Sequence, residues 1–136
     1  ERLGRRKTAK LVLDRLMASG AWLSVRQMLD AAALYKRWRQ YEAAAKLWRR
    51  CVDRRNDSAM QSLEPLIELA IYYEHRLRDP EGALFWTEQA RSVIERRLAL
   101  RRGHSSERML LTQIDHRRQR LQRKLGIPRQ QAFMFT

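Results

Sequence analysis

The segment AAALYKRWRQYEAAAKLWRRC, residues 31–51, places small and aromatic residues at the offsets that a pair of antiparallel helices needs. With Tyr35 as origin, Ala31 and Ala32 lie four and three residues before it and Ala44 nine after; Trp48 follows Ala44 by four and Cys51 follows Trp48 by three. Small residues let two helices approach to contact distance, and aromatic residues fill the space between that pair and its neighbour. A single pair cannot bury its own apolar face, so a second copy has to follow. Leu69-Ala70-Ile71-Tyr72-Tyr73 supplies it, with Tyr73 thirty-eight positions after Tyr35 and with Ala83 and Ala90 standing for Ala44 and Cys51. The gap between the two small residues is seven in both copies, but Tyr73 to Ala83 is ten where Tyr35 to Ala44 is nine, which predicts one extra residue in the second turn.

These offsets resemble the tetratricopeptide pattern, whose usual period is about 34 residues. The resemblance covers roughly residues 25–97, and the remaining excess in period falls near Asn56, Asp57 and Ser58. Three positions depart from the pattern: Met28 stands where Trp is commonest, no Gly follows Ala31, and Thr87 replaces the second aromatic, with Trp86 beside it to fill the space. The resemblance implies an all-α chain of antiparallel helix pairs, stacked as a short right-handed superhelical array with capping helices. It also implies a concave groove lined by the first helix of each pair. Carried over residue by residue, that groove takes Arg26, Leu29, Ala33, Lys36 and Arg37 from the first copy and Glu64, Ile67, Ile71, Glu74 and His75 from the second. The Lys/Asn pattern by which some members clamp a terminal carboxylate is not matched, since Leu29 and Ala33 stand at its key places. A second phrase, LAIYYEHRLRDPEGAL, is similar to the C-terminal repeat region of bacterial proteins whose preceding domain is a ribonuclease-H-like, metal-dependent exonuclease. That likeness implies a nuclease domain upstream of Glu1, with this chain positioning a substrate or partner beside it.

Composition agrees with a helical chain. Three prolines and five glycines in 136 residues leave little material for β-turns. The opening ERLGRRK has neither an initiator methionine nor an apolar core, which reads as a fragment without a signal peptide. Apolar runs are far shorter than the roughly 20 residues of a membrane span, so no membrane partner is expected. The lone Cys51 excludes an internal disulfide, and a reducing, cytoplasmic setting is the default expectation. The formal charge of +14 is concentrated at the ends: +4 over residues 1–24, +3 over 25–100 and +7 over 101–136.

Taken in order, residues 1–24 read as a basic segment with a capping helix over Thr8–Met17, whose stripe is Leu11, Leu13, Leu16 and Met17. Ser24 with Gln27 forms a capping-box signature, so the first repeat helix runs from Val25 to about Trp38. Its partner starts at Tyr41 or Glu42 and reaches about Arg55. The next helix begins near Ser62, with Pro65 in its first turn, and ends at Leu77. Asp79-Pro80 marks the clearest boundary: Asp as N-cap, Pro at the first helical position and Glu81 in the first turn. That helix extends to Leu100 and closes at Gly103, giving two hairpins over residues 25–103. Ser105 or Ser106 caps a final helix over residues 104–126, where Gly126 fits the residue after the C-cap and Pro128 prevents continuation. Residues 127–136 form a tail.

No catalytic constellation is legible. The three histidines lack metal-ligand spacing, and no phosphate-cradling glycine loop or nucleophile elbow occurs. Glu74-His75 and Asp115-His116 are adjacent pairs, which helical geometry points apart. Cys51 reads as a buried small hydrophobe, and Tyr35, Tyr41 and Trp48 as packing residues. No cofactor or metal is implied and no enzymatic activity is assigned. The expected role is protein–protein interaction or scaffolding, toward a separate protein, a peptide or an adjoining domain. The alternative is a nucleic-acid-binding accessory domain, with Arg101, Arg102, Arg117, Arg118, Arg120, Arg123 and Lys124 as its basic face.

Overall fold

The computed structural model describes residues 2–54, 63–100 and 105–127, and every regular element among them is an α-helix. In chain order these are α1 (Arg2–Ala18), α2 (Val25–Arg37), α3 (Tyr41–Asp53), α4 (Glu64–His75), α5 (Pro80–Ala99) and α6 (Ser105–Lys124). From α2 onward each helix packs on the next, α2 on α3, α3 on α4, α4 on α5 and α5 on α6. No described helix is long and apolar enough to cross a membrane.

Local chemistry sets most boundaries. Ser24 accepts from the Gln27 backbone N–H at 3.1 Å and the Gln27 side chain accepts from the Ser24 N–H at 2.9 Å, so the capping box is complete. Asp79 caps α5 by accepting from the Gly82 N–H at 3.1 Å, with Pro80 as the first helical residue. After α6 the chain makes a Schellman turn: Gly126 has φ +73°, its N–H donates to Arg123 O and the Ile127 N–H donates to Gln122 O. The α2–α3 connection closes in the same way without glycine. Arg39 sits at φ +60°, its N–H donating to Lys36 O at 2.9 Å and the Gln40 N–H to Tyr35 O at 2.8 Å. A side chain in this left-handed conformation costs about 1–2 kcal/mol, so Arg39→Gly is expected to raise stability by about 1 kcal/mol in urea unfolding. The connection 38–40 has three residues and 76–79 has four. The extra residue of the second copy therefore lies in the turn between α4 and α5.

The core runs through α2–α6. Ala31, Ala32, Ala44, Ala83 and Ala90 are buried at the helix contacts, with Met28, Tyr35, Trp48, Leu66, Leu69 and Ile94 between them. Tyr35 lies on α2, Ala44 on α3, Tyr73 on α4 and Ala83 on α5. Between α4 and α5 the approach is close, because a Cβ on Gly82 would overlap the Tyr73 ring and come within 2.7 Å of the Asp79 carboxylate. Thr87, in the missing aromatic's place, is buried and returns its hydroxyl to Ala83 O at 2.7 Å, while Trp86 packs beside it on the Tyr73 ring at 6.3 Å.

Several boundaries differ from the sequence reading. The first helix begins at Arg2 rather than Thr8, and its stripe is narrower. Leu13 and Met17, one turn apart, pack against the core, whereas Leu11 and Leu16 point to other sides of the helix and are exposed. Helix α3 stops at Asp53 and α4 runs only from Glu64 to His75. The α4 end is set by Leu77 and Arg76, whose N–H groups both donate to Tyr72 O, and by Arg78 at φ +51°. The expected excess at 56–58, the stop at Gly103 and the tail beyond Ile127 lie outside the described residues.

Candidate interaction cleft

Helices α2, α3 and α4 enclose a cleft of about 320 Å³ lined by Ala33, Lys36, Arg37, Tyr41, Trp48, Glu64 and Glu68. Its basic wall comes from the last turn of α2, where Lys36 and Arg37 follow the exposed Ala33 by one turn. Its acidic wall comes from the first turns of α4, a helix that carries three glutamates and no Lys or Arg. The Lys36 Nζ joins the walls by donating to both Glu68 oxygens, at 2.8 and 3.0 Å. The floor includes buried Trp48, and the rim is held by Tyr41, over whose ring the Arg76 guanidinium lies at 3.9 Å while donating to its hydroxyl at 2.8 Å. A shallow opening with an aromatic floor and walls of opposite charge can receive an extended segment and orient it by charge.

Four of the residues assigned to the groove from sequence, Ala33, Lys36, Arg37 and Glu64, meet at this cleft. The others do not. Arg26 is exposed one turn from Asp30 and pairs with it at 3.1 Å. Leu29 is buried in the core, a correction to its place on the groove: it falls on the stripe that faces α3. Ile67 and Ile71 are half-buried. Glu74 is likewise not a groove residue, because α6 closes over it and leaves its side chain 1% exposed. Glu68, Tyr41 and Trp48 were missed as lining residues. Glu68 was legible as one turn beyond Glu64; the other two read as packing residues, which Trp48 also is.

The Glu74 carboxylate is the electrostatic centre of the C-terminal half. Arg117 Nη1 donates to it at 2.7 Å, Arg120 at 2.9 and 3.0 Å, and Lys124 Nζ at 3.3 Å. Burial works against the charged form, but these cations outweigh it and hold the carboxyl down to about 2. His75 Nε2 lies 3.6 Å from the same carboxylate, so the expectation that neighbours on a helix stay apart fails here. Of the proposed basic face, then, Arg117, Arg120 and Lys124 converge on α4, Arg118 pairs with Glu88 on α5, and Arg123 is exposed. Arg101 and Arg102 lie outside the described residues. Asp115 is engaged by Arg91 on α5 at 2.7 Å.

A second opening of about 350 Å³ lies between α1 and the α2–α3 hairpin, lined in part by Met17, Tyr35, Ala43, Lys46, Leu47 and Arg50. Tyr35, on its wall, donates to Asp14 at 2.6 Å, which lowers the Asp14 carboxyl below its ordinary range. Cys51 is buried, and desolvation pushes its thiol up to about 11, which makes it a poor nucleophile. Among the described residues no three His, Cys, Asp or Glu side chains gather as metal ligands. No protein-family model, curated protein or solved structure matches the chain.

Proposed function

We propose that the chain is a protein-interaction or scaffolding module of tetratricopeptide type, whose cleft between α2, α3 and α4 receives an extended segment of a partner protein or of an adjoining domain. The observation that carries this reading is that Ala33, Lys36, Arg37 and Glu64, four of the ten residues that the tetratricopeptide resemblance assigns to a groove, meet at one opening. Burial of Ala44 and Ala83 at equivalent places on α3 and α5 supports the repeat register on which that assignment depends. A superhelical stacking of the two hairpins belongs to the same proposal. So does a cytoplasmic setting.

The test blocks the cleft without breaking an ion pair. Ala33 is exposed and makes no polar side-chain contact, so Ala33→Arg fills the opening while leaving Lys36 on Glu68. The expected outcome is an unchanged melting temperature together with loss of the partners that the native chain retains in affinity capture. Identical capture by both proteins would remove the cleft from the argument.

A further inference from the structure

The positive charge of α6 is unevenly matched. On the side that meets α5, charges are matched one to one or better: Arg118 donates to Glu88, and Asp115 accepts from Arg91. On the side that meets α4, three cations, Arg117, Arg120 and Lys124, share the single carboxylate of Glu74. The shared acid is sealed at 1% exposure, whereas the cations are progressively open, 23% for Arg117, 43% for Arg120 and 51% for Lys124. Among the described residues the group therefore presents to solvent a surplus of positive charge over the one inward-facing carboxylate that it pairs with.

We infer that the α4–α6 seam is a phosphodiester-binding site, in which Glu74 pre-orients Arg117, Arg120 and Lys124 and the backbone of a nucleic acid strand supplies the missing negative charge. One feature favours a polymer over a single carboxylate. The chain as a whole carries +14, with six Lys/Arg against one acid on α1 as well, a field that draws polyanions from a distance. Arginine forks also retain N–H donors after meeting Glu74: Arg120 spends Nε and Nη2, and Arg117 only Nη1. Holding long cations in place before the ligand arrives reduces the ordering cost of binding. This site is separate from the α2–α4 cleft and stands whether or not a protein partner occupies that cleft.

Fluorescence anisotropy of the whole chain with labelled single-stranded and duplex oligonucleotides, from about 50 to about 200 mM salt, tests it. Lys124→Gln leaves both arginines on Glu74 and so preserves the fold; Arg120→Gln with Lys124→Gln removes a second contact. On single strands the log–log salt slope is expected to become shallower by about 0.7 for the first variant and about 1.4 for the second, with several-fold weaker binding at low salt. Lys46→Gln with Arg50→Gln on α3 is expected to keep the native slope. A preference for single strand or duplex names the source of the phosphates and supports the site in either case. No binding at low salt, equal losses in the α3 control, or displacement by polyglutamate at equal charge would overturn it. Should the double variant melt early, Lys124→Gln alone decides.

Discussion

Glu74→Gln is expected to destabilise the chain by about 3 kcal/mol, because it removes the buried charge on which Arg117, Arg120 and Lys124 converge. Typical domains have about 5–15 kcal/mol in all, so this one change removes a large share of what holds the C-terminal half together. Arg120→Gln should cost less, since Arg117 and Lys124 remain on the carboxylate. The same group sets an acid limb. The Glu74 carboxyl is held near 2 in the folded chain against an ordinary value of 4.5, so the unfolded chain binds this proton more tightly. Its contribution is fully present above about pH 4.5 and is lost as the pH falls from there toward 2, a difference of roughly 3 kcal/mol. Urea unfolding across that window should show native stability falling more steeply than that of Glu74→Gln. Parallel curves would mean that the carboxylate is not what α6 is fastened to.

Trp48→Ala should be comparably severe, at about 3–5 kcal/mol and a melting temperature lower by roughly 10–20 °C. The ring is 3% exposed on α3, within the core that joins the first hairpin to α4, and it also floors the cleft. Trp48→Phe keeps an aromatic filler and should lose less than half as much. Differential scanning calorimetry distinguishes this from a surface role, in which both variants would melt within a degree or two of the native chain.

Legibility differed by the range of the interaction. Ser24 with Gln27, Asp79 with Pro80, and Gly126 each act within one turn of backbone, and the helix ends they predict are found at those residues. The burial of Ala44, Ala83 and Cys51 was likewise readable, because their spacing repeats with the helix pair. The end of α4 was not, since Arg78 takes a left-handed conformation that glycine ordinarily signals. Nor was the place of Leu11 and Leu16, whose apolar side chains stay exposed because only the Leu13–Met17 edge of α1 meets the core.

Helical spacing and local capping determined by themselves that this chain makes consecutive helices, where most of them begin, and which small residues lie between them, because those outcomes depend on neighbours within a few turns. Tertiary structure alone decided the fate of the charges. Glu74 stands three residues from Ile71, which the resemblance assigns to the same groove, and Arg117 lies 43 residues further on, so nothing local could tell that α6 would fold back and seal that acid beneath three of its cations. Side-chain charge is written in the sequence, but whether it faces water, a partner helix or a ligand depends on which distant segment arrives to cover it.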